Sequence, residues 1–150
     1  MRGEIMYREM TISDARSVLP LYIDYYNTCE DGEWTEETAG RRIRQVLGMD
    51  GGYGLLMEDG NNPIGFVMGY FKQYDDLVSF MPEEIVIGLS SQGRGLGTAL
   101  LRETERRVRE LGAAGIELSA VNDGMHAHFY GKEWYKNAGN FVQMVKWFHA

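Results

Sequence analysis

Apolar positions along the chain follow two periods, which predict short strands separated by amphipathic helices. Residues 6–10 form a predicted first strand, and residues 11–14 resemble a capping box that begins a helix ending near residue 26. Pro20 lies inside this helix and predicts a kink or an early break. One side of the helix carries apolar residues at helical spacing: Val18, Leu19, Tyr22, Ile23 and Tyr26.

A second helix is predicted over residues 35–47, after which the pattern changes to that of strands. The tetrapeptide Asp-Gly-Asn-Asn at 59–62 is a strong turn signal within this region. Pro82 indicates an irregularity or an entry point in the last of these strands, because proline is confined to such places in a sheet. The strands are predicted at residues 53–57, 64–74 and 77–89.

The remaining segments continue the alternation and complete the predicted fold class. They are a helix over 96–111, a strand over 116–121, a short helix over 125–134 and a last strand over 141–148. This order predicts a mixed α/β (α+β) sheet with helices on its faces. No linker or repeat divides the sequence, so residues 1–150 are predicted to form a single domain.

The amino-acid composition disfavours several classes of function. The chain of 150 residues carries 15 Lys and Arg against 22 Asp and Glu, a net charge of -7, which disfavours a general nucleic-acid binder and favours a basic substrate. Cys29 is the single cysteine, so an internal disulfide and a Cys-based zinc site are excluded. The longest apolar stretch, 64–71, is shorter than the roughly 18 residues of a membrane helix, and we expect a cytoplasmic protein without membrane or nucleic-acid partners.

A glycine-rich segment between a strand and a helix is the most informative part of the sequence for function. It reads Gln92-Gly93-Arg94-Gly95-Leu96-Gly97. Glycines let a ligand approach the backbone closely, free amides at a helix N-terminus attract phosphate, and Arg94 adds a positive charge. The glycine spacing fits neither the P-loop nor the Rossmann fingerprint, but it fits Gln-x-x-Gly-x-Gly. The segment therefore predicts a turn that binds a pyrophosphate.

Together with Phe129-Tyr130 in the next helix, this segment resembles the GNAT superfamily of acyl-CoA-dependent N-acyltransferases. The first motif is similar to the family's coenzyme A pyrophosphate loop, and the second to its Phe-Tyr-x-x-x-Gly-Phe segment. The resemblance implies acetyl-CoA as cosubstrate and a mostly antiparallel, splayed mixed sheet of about six to seven strands with about four helices. It also implies that the fourth and fifth strands part at one end.

The resemblance further implies a set of cofactor-binding positions. The pantetheine arm would bond to backbone near Ile87 and Leu89, in the gap between the parted strands. Asn122 would substitute for an asparagine that the family often has where this chain has Asp123. The pyrophosphate would be held by the turn and the start of its helix: Gln92, Gly93, Arg94, Gly95, Leu96, Gly97 and Thr98.

The chemistry of acyl transfer to an amine points to a base and an acid. A protonated amine with a pKa of about 10.4 must lose a proton before it attacks a thioester, and a carboxylate can accept that proton directly or through water. Glu84 is the predicted base and Glu83 its rival, with strand alternation placing the two on opposite faces. Tyr130 is the family's proton donor to the leaving thiolate. A solvated glutamate, or a tyrosine that only binds the coenzyme sulfur, is the alternative interpretation.

The sequence departs from the family pattern after the second motif. The expected Gly-Phe is Trp134-Tyr135, which puts the turn after the last helix in doubt. His126 replaces a small residue and shares a helix face with Tyr130, so it could contact substrate. His126 and His128 are two residues apart and point to different sides, so a metal site is not predicted.

These observations leave more than one function open. The main hypothesis is an N-acetyltransferase acting on a primary amine of a small molecule; Trp34, Glu83 and His126 are its candidate substrate-binding residues. The acidic segment 30–37, otherwise a solvated surface, would then attract a cationic amine. The alternatives are a non-catalytic acyl-CoA-binding regulatory module and a peptide or protein N-acetyltransferase. A homodimer is an expectation from the resemblance alone.

Overall fold

A computed structural model describes residues 4–148, which fall into two compact units that divide between residues 119 and 120. The first unit contains a five-stranded sheet and three α-helices, and the second contains one further α-helix. The single domain expected over residues 1–150 stays a prediction. Among the described helices, none is both long and apolar enough to cross a membrane.

The sheet of the first unit has its strands in chain order, β1-β2-β3-β4-β5. The first four are antiparallel to their neighbours, and β5 is parallel to β4. The mixed, mostly antiparallel sheet and the four α-helices confirm the predicted fold class, although residues 4–148 supply five strands rather than six or seven. The strands are β1 Ile5–Glu9, β2 Gly52–Asp59, β3 Asn62–Gln73, β4 Val78–Ile87 and β5 Gly115–Ile116.

Helices cover both faces of this sheet, and each face has its own buried apolar cluster. The helices are α1 Ala15–Cys29, α2 Glu36–Gly48 and α3 Leu96–Glu110, followed in the second unit by α4 Gly124–Gly131. The first cluster joins α1 and α2 to the sheet through Val18, Tyr22, Ile43, Phe66, Met68 and Val86. The second joins α3 to the opposite face through Leu55, Val67, Phe80, Leu100 and Val108. Burial on both faces explains the nearly continuous apolar sequences of β2 and β3.

Helix α1 continues through Pro20, so the predicted early break is wrong. Proline removes one hydrogen bond from the helix interior, but this side chain is exposed and does not disturb the packed face. Val18 and Tyr22, on either side of it, are fully buried against the sheet. Their packing holds the two halves of the helix on the same surface.

Two predicted strands are shorter than expected or absent. β5 is Gly115–Ile116 and includes only Ile116 of the predicted 116–121, since its pairing with β4 ends at Phe80. Residues 141–148 of the second unit form no strand, and Phe141, Trp147 and Phe148 are exposed. That segment has apolar residues on both of its alternating faces, a pattern that needs neighbouring strands for burial. The apolar pattern of this segment alone does not determine which strands would lie beside it.

A β-bulge in β4 changes which face its side chains reach. Met68 of β3 pairs with Glu84, but the next residue, Gly69, pairs with Pro82, so Glu83 is an extra residue in β4. Phe80 therefore packs in the α3 cluster, whereas Val86, an even number of residues later, packs in the α1 and α2 cluster. The irregularity predicted at Pro82 is confirmed, and it directs Glu84 towards α1 and α2.

Glycine is required opposite the bulge. A Cβ atom on Gly69 would lie 2.1 Å from the Met81 carbonyl oxygen and 2.7 Å from the Pro82 Cα. We predict that Gly69→Ala lowers the free energy of unfolding by at least about 2 kcal/mol, because backbone atoms must move to admit the methyl group. Urea denaturation followed by circular dichroism measures the change.

Gly115→Ala is the matched control, because a Cβ atom at that position in the same sheet meets nothing within 4 Å. Its effect should be small. Equal destabilisation by the two variants would contradict the requirement for glycine at the bulge.

Candidate functional site

The turn after β4 is held open by its own backbone and by two left-handed glycines. The Gly88 amide donates to the Ile64 carbonyl at 2.8 Å, and the Gln92 side-chain amide donates to the Ile87 carbonyl at 3.1 Å. Gly93 and Gly95 have φ values of 76° and 74°, a region that side chains other than glycine rarely adopt. The glycines of the predicted motif are thus needed for the path of the chain into α3.

This turn fits a pyrophosphate. Helix α3 begins after Gly95, and within the described chain no side chain caps it, so its first amides are open to an anion. A Cβ atom at Gly93 or Gly95 would meet nothing within 4 Å, and Arg94 beside them is exposed. Amides, the helix dipole and a guanidinium are the groups that bind phosphate. Leu96, Gly97 and Thr98 form the first turn of α3, as predicted.

The backbone positions predicted for a pantetheine arm lie at the end of β4. Pairing between β4 and β5 covers only Ser79 with Gly115 and Phe80 with Ile116, so β4 continues to Ile87 beyond the last paired residue of β5. Leu89, in the 3-10 turn Leu89–Ser91, is 42% exposed. Within the described strands, β4 therefore has no partner in β5 after Phe80, and the parting of the two strands that the resemblance implies stays a prediction.

Glu84 lies at the centre of a hydrogen-bond network between β4, α1 and α2. Its Oε1 accepts from the Tyr22 hydroxyl at 3.2 Å and from Arg42 Nε at 3.0 Å. Its Oε2 accepts from the Tyr26 hydroxyl. The Glu84 side chain is 11% exposed, so this is a largely buried carboxylate that is ion-paired and hydrogen-bonded. The interpretation of Glu84 as a merely solvated glutamate is wrong.

Glu83 and Glu84 approach the same guanidinium, which corrects the prediction that they lie on opposite faces. Arg42 Nη2 lies 3.2 Å from Glu83 Oε2, while its Nε binds Glu84. Alternation fails because Glu83 is the extra residue of the bulge. The Glu83 side chain is 39% exposed, so it faces solvent more than Glu84 does.

The two tyrosines of α1 are hydrogen-bond donors in this network. Burial, and next the negative charge of Glu84, raise the pKa of both Tyr22 and Tyr26 above the ordinary value. Both phenols therefore stay protonated at neutral pH and keep donating to the carboxylate. Trp34, predicted to contact substrate, packs edge-on against Tyr22 with ring centroids 5.0 Å apart and is half-buried. It supports this aromatic layer in addition to any contact with a ligand.

The second unit contains the other predicted site residues on and beside α4. Asp123, next to Asn122, caps the helix, because its carboxylate accepts from the His126 amide at 2.7 Å. The His126 ring Nδ1 lies 2.8 Å from the same carboxylate oxygen, so this histidine belongs to the cap. Tyr130 contacts the rings of Phe129 and Tyr135 at centroid distances of 4.9 and 5.6 Å. Within residues 4–148, no group of three metal-ligating side chains is assembled.

The chain matches the model of a known protein family over most of its length. The acetyltransferase (GNAT) family model matches residues 17–133 of the chain. The chain belongs to the GNAT family. The match includes both elements on which the sequence resemblance depended, the glycine-rich turn and the Phe-Tyr pair of α4.

Known proteins of this kind resemble the chain in sequence and in fold. An uncharacterized protein of Bacillus subtilis (strain 168), YxbD, is 34% identical over 96 residues, which are 63% of this chain and 56% of YxbD. The chain thus matches only about half of the length of that relative. A possible acetyltransferase from Clostridium difficile 630 superimposes with a TM-score of 0.82 at 11% identity, covering 97% of this chain and 99% of the other.

A predicted acetyltransferase from Clostridium acetobutylicum, whose structure contains acetyl-CoA, has a TM-score of 0.71 at 15% identity. The alignment covers 95% of this chain and 96% of that one. At these identities the two structural likenesses establish the shared fold.

The network around Glu84 contains three residues that the sequence did not mark as part of a candidate site: Tyr22, Tyr26 and Arg42. The two tyrosines were assigned to the apolar face of α1, which they do occupy, but their hydroxyls extend past the core to Glu84. Arg42 is one of several arginines on α2, and the sequence does not distinguish it from the others. The bulge that brings Glu83 and Glu84 to the same arginine was signalled in the sequence only by Pro82.

The chain after α4 turns at Trp134, where the sequence departs from the GNAT motif. Trp134 has a φ of 72°, the Tyr135 amide donates to the Tyr130 carbonyl at 3.2 Å, and the Trp134 amide donates to the Gly131 carbonyl at 3.1 Å. These bonds form a Schellman motif, in which the left-handed position is usually glycine. The helix therefore ends in a left-handed turn that has a bulky residue at the position that favours glycine.

We predict that Trp134→Gly stabilises this turn by about 1 kcal/mol, because a left-handed conformation costs an L-residue roughly that much. The tryptophan side chain is 92% exposed, so little packing is lost. Hydrogen exchange of the Tyr135 amide should slow in the variant. Lys132→Gly, at a right-handed position with φ -66°, is the control and should speed the same exchange. Faster exchange in Trp134→Gly would contradict the prediction.

Proposed function

We propose that this GNAT protein transfers an acetyl group from acetyl-CoA to a primary amine of a small molecule, with Glu84 as the base and Tyr130 as the acid. The observation that carries the proposal is the arrangement around Glu84. A GNAT domain with a pyrophosphate-type turn places, on the strand leading to that turn, a carboxylate fixed by three donors. Such a carboxylate is held at a defined position, where one of its oxygens would meet a substrate.

Oε2 of Glu84 is the oxygen that would accept the proton. A carboxylate has about four lone-pair sites, two on each oxygen. Among the described contacts, Oε1 receives two donors, Tyr22 and Arg42, whereas Oε2 receives only Tyr26. One direction at Oε2 is therefore left for the ammonium group of a substrate or for a water molecule that relays its proton.

The turn and its surroundings would hold the cosubstrate. When bound, acetyl-CoA supplies an activated thioester as the acyl donor. The amides from Gly93 to Gly97 and the Arg94 guanidinium would bind its pyrophosphate, with Gln92 fixing the turn to Ile87. Ile87 and Leu89 would offer backbone groups to the pantetheine arm, and Thr98 and Asn122 would complete the set.

Tyr130 would hold the proton that the leaving thiol needs. A thiol has a pKa of about 8.5 and a tyrosine hydroxyl about 10, so the phenol is protonated at neutral pH and can donate. Its place on α4, one residue after Phe129, is that of the family motif. The adjoining His126 contributes to the cap of the same helix and is proposed to border the substrate.

The charge of the network favours a cationic acceptor. Glu83 and Glu84 carry two negative charges against the one positive charge of Arg42, so the group as a whole remains negative. Glu83 is the more exposed of the two, and it would meet the incoming ammonium before Glu84 removes the proton. Trp34 would supply an aromatic wall beside it.

The first test combines binding with turnover. Calorimetry should detect binding of coenzyme A, and thiol release from acetyl-CoA should accelerate with a small polyamine, an aminoglycoside or an amino acid more than with a peptide. Binding without turnover on any amine would favour a regulatory acyl-CoA-binding module, and preference for peptides would favour a protein N-acetyltransferase. Absence of coenzyme A binding would overturn the proposal altogether.

The second test separates the two glutamates. Glu84→Gln should lower kcat by about 100-fold or more, since it removes a general base, while the Kd for coenzyme A stays unchanged. Tyr130→Phe should lower kcat to a smaller extent if water can replace its hydroxyl. Glu83→Gln is the matched control and should raise KM for the amine with a modest change in kcat. A larger loss of kcat in Glu83→Gln than in Glu84→Gln would reverse their roles.

A further inference from the structure

We infer that Arg42 is a positioning residue for the proton-accepting step, holding Glu84 so that Oε2 faces the substrate and pairing with the neighbouring Glu83 as well. The inference rests on the proposed function of Glu84. It concerns a residue of α2 that belongs to neither GNAT motif in this chain. Three steps of geometry and charge support it.

The first step is the shape of the contact. Arg42 reaches Glu84 through Nε at 3.0 Å and Glu83 through Nη2 at 3.2 Å, and its side chain is 29% exposed. A guanidinium is planar, so two bonds from different nitrogens fix both its orientation and that of its partners. With Tyr22 also donating to Oε1, Arg42 occupies the second site on that oxygen.

The second step is the electrostatic problem that the bulge creates. Because Glu83 is the extra residue, two adjacent carboxylates come to the same arginine instead of to opposite faces. Two like charges at close range disfavour the ionisation of one of them. A base must be ionised before it can accept a proton, so the pair needs a cation between its members.

The third step is the set of groups that face Glu84. Tyr22 and Tyr26 come from α1, Arg42 from α2, and Glu83 from β4. Glu30 adds a negative charge near Tyr26. Among these described neighbours, Arg42 carries the positive charge. Its bond to Glu84 and the charge of that carboxylate raise the pKa of Arg42 despite its partial burial, so it stays charged.

The experiment compares Arg42→Met, which removes the charge but keeps an apolar stem, with Arg42→Lys, which keeps a charge without the fork. Arg41→Met is the matched control on the same helix, because Arg41 is 68% exposed and its ion pair with Glu37 is 3.8 Å long. Two readouts are taken. One is the pH profile of kcat/KM with the best amine, and the other is the titration of the Glu84 carboxyl followed by carbon-13 NMR without cosubstrate.

Loss of a neighbouring positive charge raises the pKa of a carboxyl group, so its ionised form requires a higher pH. In Arg42→Met, the acidic limb of the kcat/KM profile and the Glu84 titration should both move to higher pH than in the wild type. Arg42→Lys should keep most of the charge effect but lower kcat by about 10-fold, because its single ammonium cannot fix both carboxylates. Arg41→Met should match the wild type in both readouts.

A double variant tests the role assigned to Glu83. If Arg42 separates two like charges, Glu83→Gln added to Arg42→Met should return the Glu84 titration part of the way towards the wild type. A wild-type titration and pH profile in Arg42→Met would overturn the inference, as would equal shifts in Arg41→Met.

The two proposals fail in different ways. Inactivity of the wild type on all amines would refute the proposed function, whereas the NMR titration would still measure the coupling of Arg42 to Glu84. If Arg42→Met does not fold, Arg42→Lys and Glu83→Gln carry the same comparison. An unchanged kcat in a folded Arg42→Lys would then count against a positioning role.

Discussion

The extra residue at Glu83 in β4 is the constraint on which the candidate active site depends. Up to Phe80, β4 follows a register that directs alternate side chains towards α3, and after the bulge the same parity faces α1 and α2. Glu84 reaches Tyr22 and Arg42 only because of this change. The pairing of β4 with β5 also ends before the bulge, at Phe80.

Burying Glu84 beside the core is costly, and the network around it offsets that cost. An isolated buried carboxylate would be strongly destabilising, while one with donors on both oxygens and a paired cation is tolerated. Tyr22 serves two purposes here, because its ring is fully buried in the cluster of α1 and α2 while its hydroxyl donates to the carboxylate. The Tyr22 side chain therefore contributes both to the packing of the core and to the orientation of the candidate base.

The sequence was most informative where a local rule governs the backbone. Gly93 and Gly95 predicted the turn, because the left-handed conformations that they adopt are rare for residues other than glycine. Period and caps located the helices to within a few residues. Pro82 signalled the irregularity in β4, although not the register change that follows from it.

What failed depended on partners distant in the sequence. The strand predicted over 141–148 required neighbouring strands that an apolar pattern does not specify, and the break predicted at Pro20 ignored the packing on either side of it. Arg42 has no local signal, because its role arises when α2 lies across β4. At Trp134, the surroundings override the preference of the residue itself. Hydrogen bonds at the helix end impose a left-handed conformation that tryptophan disfavours.

The division of charge in the network bears on how a base can also attract its substrate. A single carboxylate paired with an arginine would be neutral overall and would not draw in an ammonium group. Two carboxylates without a cation would attract it, but one of them would tend to hold a proton of its own. Arg42 bound to both Glu83 and Glu84 pairs one cation with two carboxylates, so the formal charge of the group is negative. The bulge supplies this arrangement by bringing adjacent residues of one strand to the same cation.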